Sequence, residues 1–338
     1  MNKFFKIAAT AVVAMTASAN ALAADHNLTI SSWTGPGHGI NAIMWPNLIK
    51  MIEEATDGKV TAEVKLGLAP PPAQMDLVMD GAADMTIIFH GYQPGRFVGT
   101  KLIELPGYEG NAEAASVAYW RVHEAHLASL NEHRGVKLMG LTTHGPGQIH
   151  SNKEVSTLAD LNGLKTRIGG GVAGDVGAEL GLIGIQVPAP KVYETLDSDA
   201  ADAVAMPYEG RKGFKLTEVA ENVFEMPGGF YRGSFAFLMS QETFDSLPAD
   251  IQKALNEKVF GEPASRMLGA AWDEIDEIGR AATLEAEGNS ITIASDADQA
   301  AYGEIAKRVT DKILAELEAA GIDAQAAYEM VKAEMAAQ

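Results

Sequence analysis

Residues 26–89 alternate between strand-like and helix-like patterns, and this alternation constrains the fold more than any other feature of the chain. The strand-like segments are residues 26–33, 59–66 and 84–89, and the segments with apolar residues at helical spacing are residues 40–55 and 73–80. A β-α-β-α-β order predicts a parallel sheet with right-handed crossovers, and therefore an α/β fold. Pro46 lies inside the first helical segment, so the regular helix is expected to start there.

The carboxyl ends of these strands carry the first candidate ligand-binding side chains. Ligands of parallel sheets bind just beyond those ends. Core packing, or a satisfied loop hydrogen bond for a histidine, is the simpler explanation of each residue taken alone. Their shared position is what selects them: Trp33, His38, Phe89, His90 and Tyr92.

Residues 158–207 contain the charged side chain with the clearest binding chemistry. Arg167 ends a short predicted strand and is followed by the glycine cluster of residues 169–171. The planar guanidinium of an arginine can donate two hydrogen bonds to one carboxylate. A surface salt bridge is the simpler explanation for an arbitrary arginine, because most exposed ion pairs contribute little. The choice between the two depends on the rest of the chain.

The second half of the chain adds strands and long helices. Residues 136–141, 219–224 and 230–239 have strand-like patterns, and residues 112–132, 298–319 and 324–336 have helical ones. Residues 248–287 are helical in character for about 40 residues, far longer than an average helix. Gly261, Pro263 and Gly269 are expected to kink this stretch. A helix of that length can run across two domains and couple them.

The composition excludes several classes of partner. The 338-residue chain has a formal net charge of −19, so nucleic acid and anionic membranes are poor partners. It contains no cysteine, which excludes disulfide and thiolate chemistry. Residues 1–23 combine two lysines, an apolar run and a small-x-small site, the pattern of a signal peptide. We therefore expect export to the periplasm, and no membrane insertion because no apolar run reaches about 20 residues.

One motif offers an alternative function. Residues 169–174 match G-x-G-x-x-G, and Glu194 follows 20 residues later, as in dinucleotide-binding sites. An exported oxidoreductase that binds a dinucleotide there is the alternative hypothesis. Against it, the preceding strand is very short, and the glycine-rich residues 172–182 are expected to form a poor helix. We therefore predict no catalytic residue, no cofactor and no metal site.

Several segments together resemble the solute-binding proteins of tripartite ATP-independent periplasmic (TRAP) transporters, of the dicarboxylate-binding (DctP-type) family. The resemblance covers essentially the whole chain after the signal peptide. The segments that carry it are residues 76–85, 92–97, 104–106, 151–153, 158–167, 188–196, 201–202 and 247–252.

The resemblance implies a two-domain, venus-flytrap fold with a long helix spanning both domains. The domains would comprise residues 24–147 plus 233–275 and residues 148–232 plus 276–338, with the ligand cleft between them. Such a protein is a monomer without catalytic activity that captures a small organic acid and delivers it to the membrane permease. In this family the arginine at the end of the L-K-x-R strand binds the ligand carboxylate, and Arg167 occupies that position.

Departures from the family pattern predict a less polar pocket. Gln148 stands where many members have a second arginine, Met206 where many have an asparagine, and Ala189 where an aromatic residue often packs on the ligand. We therefore expect a monocarboxylate with an apolar, aromatic or zwitterionic remainder. Tyr208 and Phe230 would form an aromatic wall together with Trp33, Phe89 and Tyr92. With Glu209 nearby, a methylated cation of a zwitterionic ligand would bind this wall through cation–π contact.

Overall fold

The computed structural model describes residues 24–337 and contains two β-sheets with helices packed around them. The predicted signal peptide, residues 1–23, lies outside the described residues. The strands are β1 (His26–Ser32), β2 (Val60–Leu66), β3 (Met85–Phe89), β4 (Val136–Thr143), β5 (Gln148–Ser151), β6 (Lys165–Ile168), β7 (Ile183–Gln186), β8 (Ala203–Met206), β9 (Asn222–Glu225), β10 (Ser234–Ser240) and β11 (Ser290–Ile293).

The helices surround these sheets. In chain order they are α1 (Trp45–Ala55), α2 (Gln74–Met79), α3 (Lys101–Glu104), α4 (Ala112–Val122), α5 (Val172–Glu179), α6 (Val192–Asp197), α7 (Glu209–Gly213), α8 (Gln241–Ser246), α9 (Ala249–Lys258), α10 (Glu262–Glu285), α11 (Asp296–Ala319) and α12 (Ala324–Ala336). Among the residues described, no helix is both long enough and apolar enough to cross a membrane.

The first sheet has the order β2-β1-β3-β10-β4. Strand β1 pairs in parallel with β2 and β3, as the alternating pattern predicts. Strand β10 comes much later in the chain, yet it inserts antiparallel between β3 and β4. This insertion places Phe235 beside Phe89 in the register, at the end of the sheet where ligands are expected.

The second sheet has the order β11-β9-β5-β8-β6-β7. Strand β6 runs parallel to β7 and β8, and Arg167 of β6 pairs with Val204 of β8. Strand β5 runs antiparallel to β8, with Gln148 opposite Met206. Arg167 therefore lies one residue before the end of its strand, close to the loop that follows β8.

The predicted long helical stretch is two helices in the structure, so the expectation of one kinked helix over residues 248–287 is wrong. Gly261 has a φ of 88°, a left-handed conformation that stops α9 and lets α10 begin in a new direction. Gly269 does not interrupt α10, which continues through it to Glu285. It lies where α10 contacts α4, and a β-carbon there would approach the Ala112 carbonyl oxygen to 2.7 Å.

Two other helical predictions need correction. The helix expected over residues 112–132 is regular only through Val122, and it continues as a π-helical turn (His123–Leu127) and a 3-10 turn (Ala128–Leu130). Residues 172–182 were expected to form a poor helix, yet α5 forms there. A residue outside the segment explains α5: Glu104 accepts a hydrogen bond from the Val172 amide at 2.9 Å and caps the helix.

The buried apolar side chains join the elements around both sheets. One cluster packs α1, α9 and α10 against the first sheet, with Trp45 and Trp272 almost completely buried. The other reaches from α4 to the helices beside the second sheet. Helix α12 also returns to α4, where Arg121 and Glu334 form a 2.6 Å ion pair. The C-terminal helix therefore packs against α4, an element of the first half of the chain.

Candidate ligand-binding site

A narrow cavity lies where the carboxyl ends of β1, β3, β6 and β8 approach one another. Its volume is about 30 Å³, room for the centres of only about two water molecules. The predicted site residues that line it are Trp33, His38, Phe89, Tyr92, Arg167, Met206 and Glu209. Ala189, which the sequence placed where an aromatic residue often packs on the ligand, also lines it. Residues that the sequence did not select complete the wall: Ile40, His144, Gly169, Pro207, Phe214, Tyr231, Phe235 and Trp272.

Arg167 is the charged centre of this cavity and is only 2% exposed. Its Nε donates to the Val187 carbonyl at 2.8 Å, and its Nη2 donates to the Tyr92 hydroxyl at 3.3 Å. No carboxylate within residues 24–337 lies within the 4.0 Å ion-pair distance of its guanidinium. A buried charge without a counter-charge is unfavourable, so a ligand carboxylate would supply the missing partner.

The Tyr92 hydroxyl is a second polar group aimed at the same position. Its oxygen accepts from the Ala189 amide at 2.7 Å and from Arg167, so its own proton is available to a ligand. Burial raises the pKa of Tyr92, which therefore keeps that proton at neutral pH. Tyr92 follows β3 of the first sheet, whereas Arg167 lies in β6 of the second sheet and Ala189 follows β7 of that sheet. The contact consequently joins the two halves.

Aromatic rings form one wall of the cavity. Phe89 lies edge-on to Tyr92, with ring centroids 4.7 Å apart, and contacts Phe235 at 5.1 Å. Trp272 packs against Phe235 at 5.0 Å. The indole nitrogen of Trp33 donates to a backbone carbonyl at 2.8 Å, so its ring has no unsatisfied polar atom. Such a wall suits a flat apolar group.

His38 and Glu209 form a buried polar pair in the cavity wall, with their side chains 2% and 5% exposed. The His38 Nε2 and the Glu209 Oε2 are 2.8 Å apart. The Glu209 amide donates to Asp276 of α10 at 2.7 Å, which fixes the start of α7. The pair therefore presents one carboxylate at a defined position.

His144 is a further polar residue in the wall. Its Nδ1 donates to the Gly145 carbonyl at 2.6 Å, and its ring lies edge-on to Tyr231. Burial lowers the pKa of His144 to about 4, so the ring is neutral at physiological pH. It directly follows β4, the same kind of position as the strand ends that the sequence did select.

Comparison with known proteins identifies the family. The model of the bacterial extracellular solute-binding proteins, family 7 (DctP), matches residues 39–317. The chain belongs to this family.

Solved structures of TRAP solute-binding proteins share the fold over nearly the whole chain. A TRAP periplasmic solute-binding protein from Bordetella bronchiseptica, with bound (R)- and (S)-mandelate, is 36% identical, with a TM-score of 0.87 over 91% of this chain and 98% of that one. A TRAP solute-binding protein from Rhodoferax ferrireducens, with copurified benzoate, is 26% identical, with a TM-score of 0.85 over 92% and 97%. The two-domain fold that the sequence predicts is confirmed.

A curated relative is also similar over most of its length. It is the outer membrane transporter protein TsaT of Comamonas testosteroni, which is 25% identical over 318 residues, 93% of this chain and 93% of that protein. The match spans both sheets of this family 7 protein, so the similarity is not confined to one half of the chain.

Two of the predicted site residues of this family 7 protein face a different pocket. The side-chain amide of Gln148 donates to the Met226 carbonyl at 3.2 Å and accepts from the Met226 amide at 2.8 Å. The Tyr208 hydroxyl donates to Glu225 at 2.5 Å. Gln148 and Tyr208 thus line a separate surface cleft rather than the cavity around Arg167.

His90 and Phe230 also lie outside the cavity. The His90 Nδ1 is 2.9 Å from the Ser234 hydroxyl and its Nε2 is 2.9 Å from His133, so both ring nitrogens have protein partners. Phe230 packs edge-on against Tyr302, 5.0 Å between centroids, in the apolar core. Neither side chain is free to contact a ligand beside Arg167.

The glycine-rich loop does not offer the anion site that a dinucleotide needs. Pyrophosphates bind at helix N-termini, where backbone amides are unpaired. In this protein the Glu104 carboxylate lies at the start of α5 and accepts from Val172, and its other oxygen accepts from the Ser234 hydroxyl at 2.5 Å. Burial raises the pKa of Glu104 to about 7. The Glu104 carboxyl already occupies the position at the start of α5 where a phosphate would bind, so the geometry opposes the oxidoreductase alternative.

Proposed function

We propose that the chain is the solute-binding protein of a TRAP transporter and captures an aromatic monocarboxylate, with Arg167 as the carboxylate anchor. The observation that carries this proposal is the buried Arg167 guanidinium, which has no carboxylate partner among residues 24–337 and lies beside a wall of aromatic rings. A charge-assisted bidentate pair with a ligand supplies the missing counter-charge.

The chemistry of the relatives agrees with this assignment. Mandelate and benzoate each combine one carboxylate with one aromatic ring. The carboxylate would lie between Arg167 and the Tyr92 hydroxyl, and the ring would contact Phe89, Phe235 and Trp272. Ala189 and Met206 leave the surroundings of the anchor apolar, which disfavours a sugar acid with many hydroxyl groups.

The narrow cavity implies that ligand enters by domain separation. In the division that we propose, Trp33, Phe89 and Tyr92 belong to residues 24–147 plus 233–275, and Arg167 and Glu209 belong to residues 148–232 plus 276–338. Closure then brings the aromatic wall onto the anchor and removes water, which strengthens the ion pair. We further propose that residues 1–23 direct export to the periplasm and that the closed protein delivers its ligand to the permease.

Calorimetric titration of matched acids and amides tests this function. The panel is benzoate, phenylacetate and mandelate, each with its primary amide, and galactonate as a polar acid. At least one aromatic acid should bind with micromolar or better affinity, its amide about 100-fold more weakly, and galactonate not measurably. The bound acid should be recovered chemically unchanged. An amide that binds as tightly as its acid, or turnover of the ligand, would overturn the proposal.

A further inference from the structure

We infer that Glu209, held by His38, selects ligands that carry a hydrogen-bond donor in addition to the carboxylate. This inference rests on the proposed function, because it concerns the same cavity. The donor is a hydroxyl or a protonated amine on the aromatic acid. Glu209 is thereby assigned as a specificity-determining residue.

The hydrogen bonds of His38 fix where its proton lies. The Ile40 amide donates to the His38 Nδ1 at 3.2 Å, so this nitrogen is the acceptor and carries no hydrogen. The remaining nitrogen, Nε2, must carry the proton of the neutral ring. It lies 2.8 Å from the Glu209 Oε2 and therefore donates to it. Glu209 is accordingly the acceptor of this hydrogen bond, and His38 adds no positive charge to the cavity.

Only one of the two carboxylate oxygens of Glu209 is satisfied by this arrangement. Across residues 24–337, no hydrogen bond reaches its Oε1 from another side chain or from the backbone. Nor does Arg167 form an ion pair with Glu209, so their charged groups are more than 4.0 Å apart in the same cavity. A ligand can therefore contact both groups with different ends.

This geometry penalises a ligand without a donor. An unsubstituted aromatic ring would cover the free Oε1 of Glu209 and exclude water from it, but would donate no hydrogen bond in return. The carboxylate oxygen would then be buried without a partner. A hydroxyl supplies one hydrogen bond and removes that penalty. A protonated amine also balances the negative charge that remains once the ligand carboxylate has neutralised Arg167. Sites built around a buried polar group discriminate strongly against analogues that lack its partner.

Titration of one ligand skeleton with and without a donor tests the inference. The probes are phenylacetate, its α-hydroxy and α-amino derivatives (mandelate and phenylglycine), and 3- and 4-hydroxyphenylacetate. The proteins are the wild type, Glu209→Gln, Glu209→Met and the exposed control Glu194→Gln. We expect at least one donor-bearing acid to bind the wild type and the control about tenfold or more tightly than phenylacetate.

The two Glu209 variants should differ in a defined way. Glu209→Met should abolish the preference for every donor while keeping or improving phenylacetate binding, because no buried charge is left. Glu209→Gln retains a neutral acceptor, so it should lose the preference for an amine and keep part of that for a hydroxyl. Thermal melting without ligand verifies that both variants fold.

The outcomes separate this inference from the proposed function. If the wild type binds phenylacetate at least as tightly as every donor-bearing derivative, the role of Glu209 is refuted and the carboxylate anchor stands. A preference that survives in Glu209→Met also refutes it. If no aromatic acid binds the wild type at all, the proposed function itself fails, and the inference fails with it.

Discussion

At the residue scale, the Tyr92 hydroxyl can both connect the two halves of the protein and donate a hydrogen bond to the ligand. It accepts from the Ala189 amide and from Arg167, and these two donors lie on the opposite side of the cavity from its own strand. Its proton remains for the ligand. We propose that the hydroxyl stabilises the closed arrangement most strongly when a ligand carboxylate lies beside Arg167.

Tyr92→Phe is expected to weaken binding of the aromatic acid about tenfold. The variant loses one donor to the carboxylate and leaves the Ala189 amide without its acceptor in the closed protein, while the ring contact with Phe89 is kept. Titration calorimetry measures the affinity, and the melting temperature without ligand should change little. Unchanged affinity would show that the Tyr92 hydroxyl does not donate a hydrogen bond to the ligand carboxylate.

The sequence predicted only part of the cavity lining, because some lining residues are placed by local strand order and others by contacts between distant parts of the chain. Trp33, Phe89 and Tyr92 lie at or just after the ends of strands whose order is evident from local periodicity, so the strand-end rule selects them. Phe235 and Trp272 come from β10 and α10, whose positions depend on pairing and packing far along the chain. No local pattern reveals those positions.

His90 shows the limit of the same rule. It lies between Phe89 and Tyr92 in the chain, yet its ring turns toward Ser234 and His133. Position at a strand end brings a residue to the correct edge of the sheet, but adjacent residues point to different sides. The direction of the side chain was therefore not predictable from its place in the sequence.

At the scale of elements, α10 is the part that joins the two halves. Gly269 allows close contact with α4, and Gly279 lies against the backbone of Tyr208, directly before Glu209. A β-carbon at position 279 would overlap the Tyr208 carbonyl oxygen. Helix α10 thus contacts both halves through positions where only glycine fits.

Gly279→Ala should lower the melting temperature and also weaken ligand binding, because relieving the overlap displaces Tyr208 and Glu209. Gly303→Ala is the matched control, since it lies in α11 with no atom within 4 Å of the added carbon. The control should be stabilised by about 0.5–1 kcal/mol, the gain from replacing a helical glycine. Equal effects of the two substitutions on melting and on affinity would contradict this role of α10.

The division between α9 and α10 could be predicted only in part. Gly261 and Pro263 are visible in the sequence as helix-disrupting residues, but whether they kink or separate the helices depends on the left-handed conformation of Gly261 and its packing against Trp120. Conversely, α5 looks poor in sequence and forms because Glu104, a distant residue, caps it. Both differences arise from tertiary contacts that override local propensity.

At the scale of the whole molecule, Glu104 links α3 to both α5 and β10, and its titration should affect global stability. Its pKa is raised to about 7 by burial, above its ordinary value of 4.5. Below pH 4.5 the carboxyl is protonated in both folded and unfolded chains. As the pH rises from 4.5 through 7, the unfolded chain ionises first, so the contribution of Glu104 to stability decreases.

Glu104→Gln removes this titration, because the amide stays neutral. The melting temperature of the variant relative to the wild type should therefore be higher at pH 8 than at pH 5. Melting by circular dichroism at both values measures the difference, and Glu194→Gln, an exposed substitution, should show none. If the difference in melting temperature between Glu104→Gln and the wild type is the same at both pH values, Glu104 ionises normally in the folded protein.

For the molecule as a whole, we propose that binding closes the two halves around a ligand carboxylate held by Arg167. Calorimetric titration of Arg167→Gln with the tightest-binding aromatic acid tests it most directly, with Arg308→Gln on the exposed face of α11 as the control. Affinity should fall by at least about 100-fold in Arg167→Gln, with little change in the melting temperature without ligand, and should be unchanged in the control. Wild-type affinity in Arg167→Gln would contradict the account.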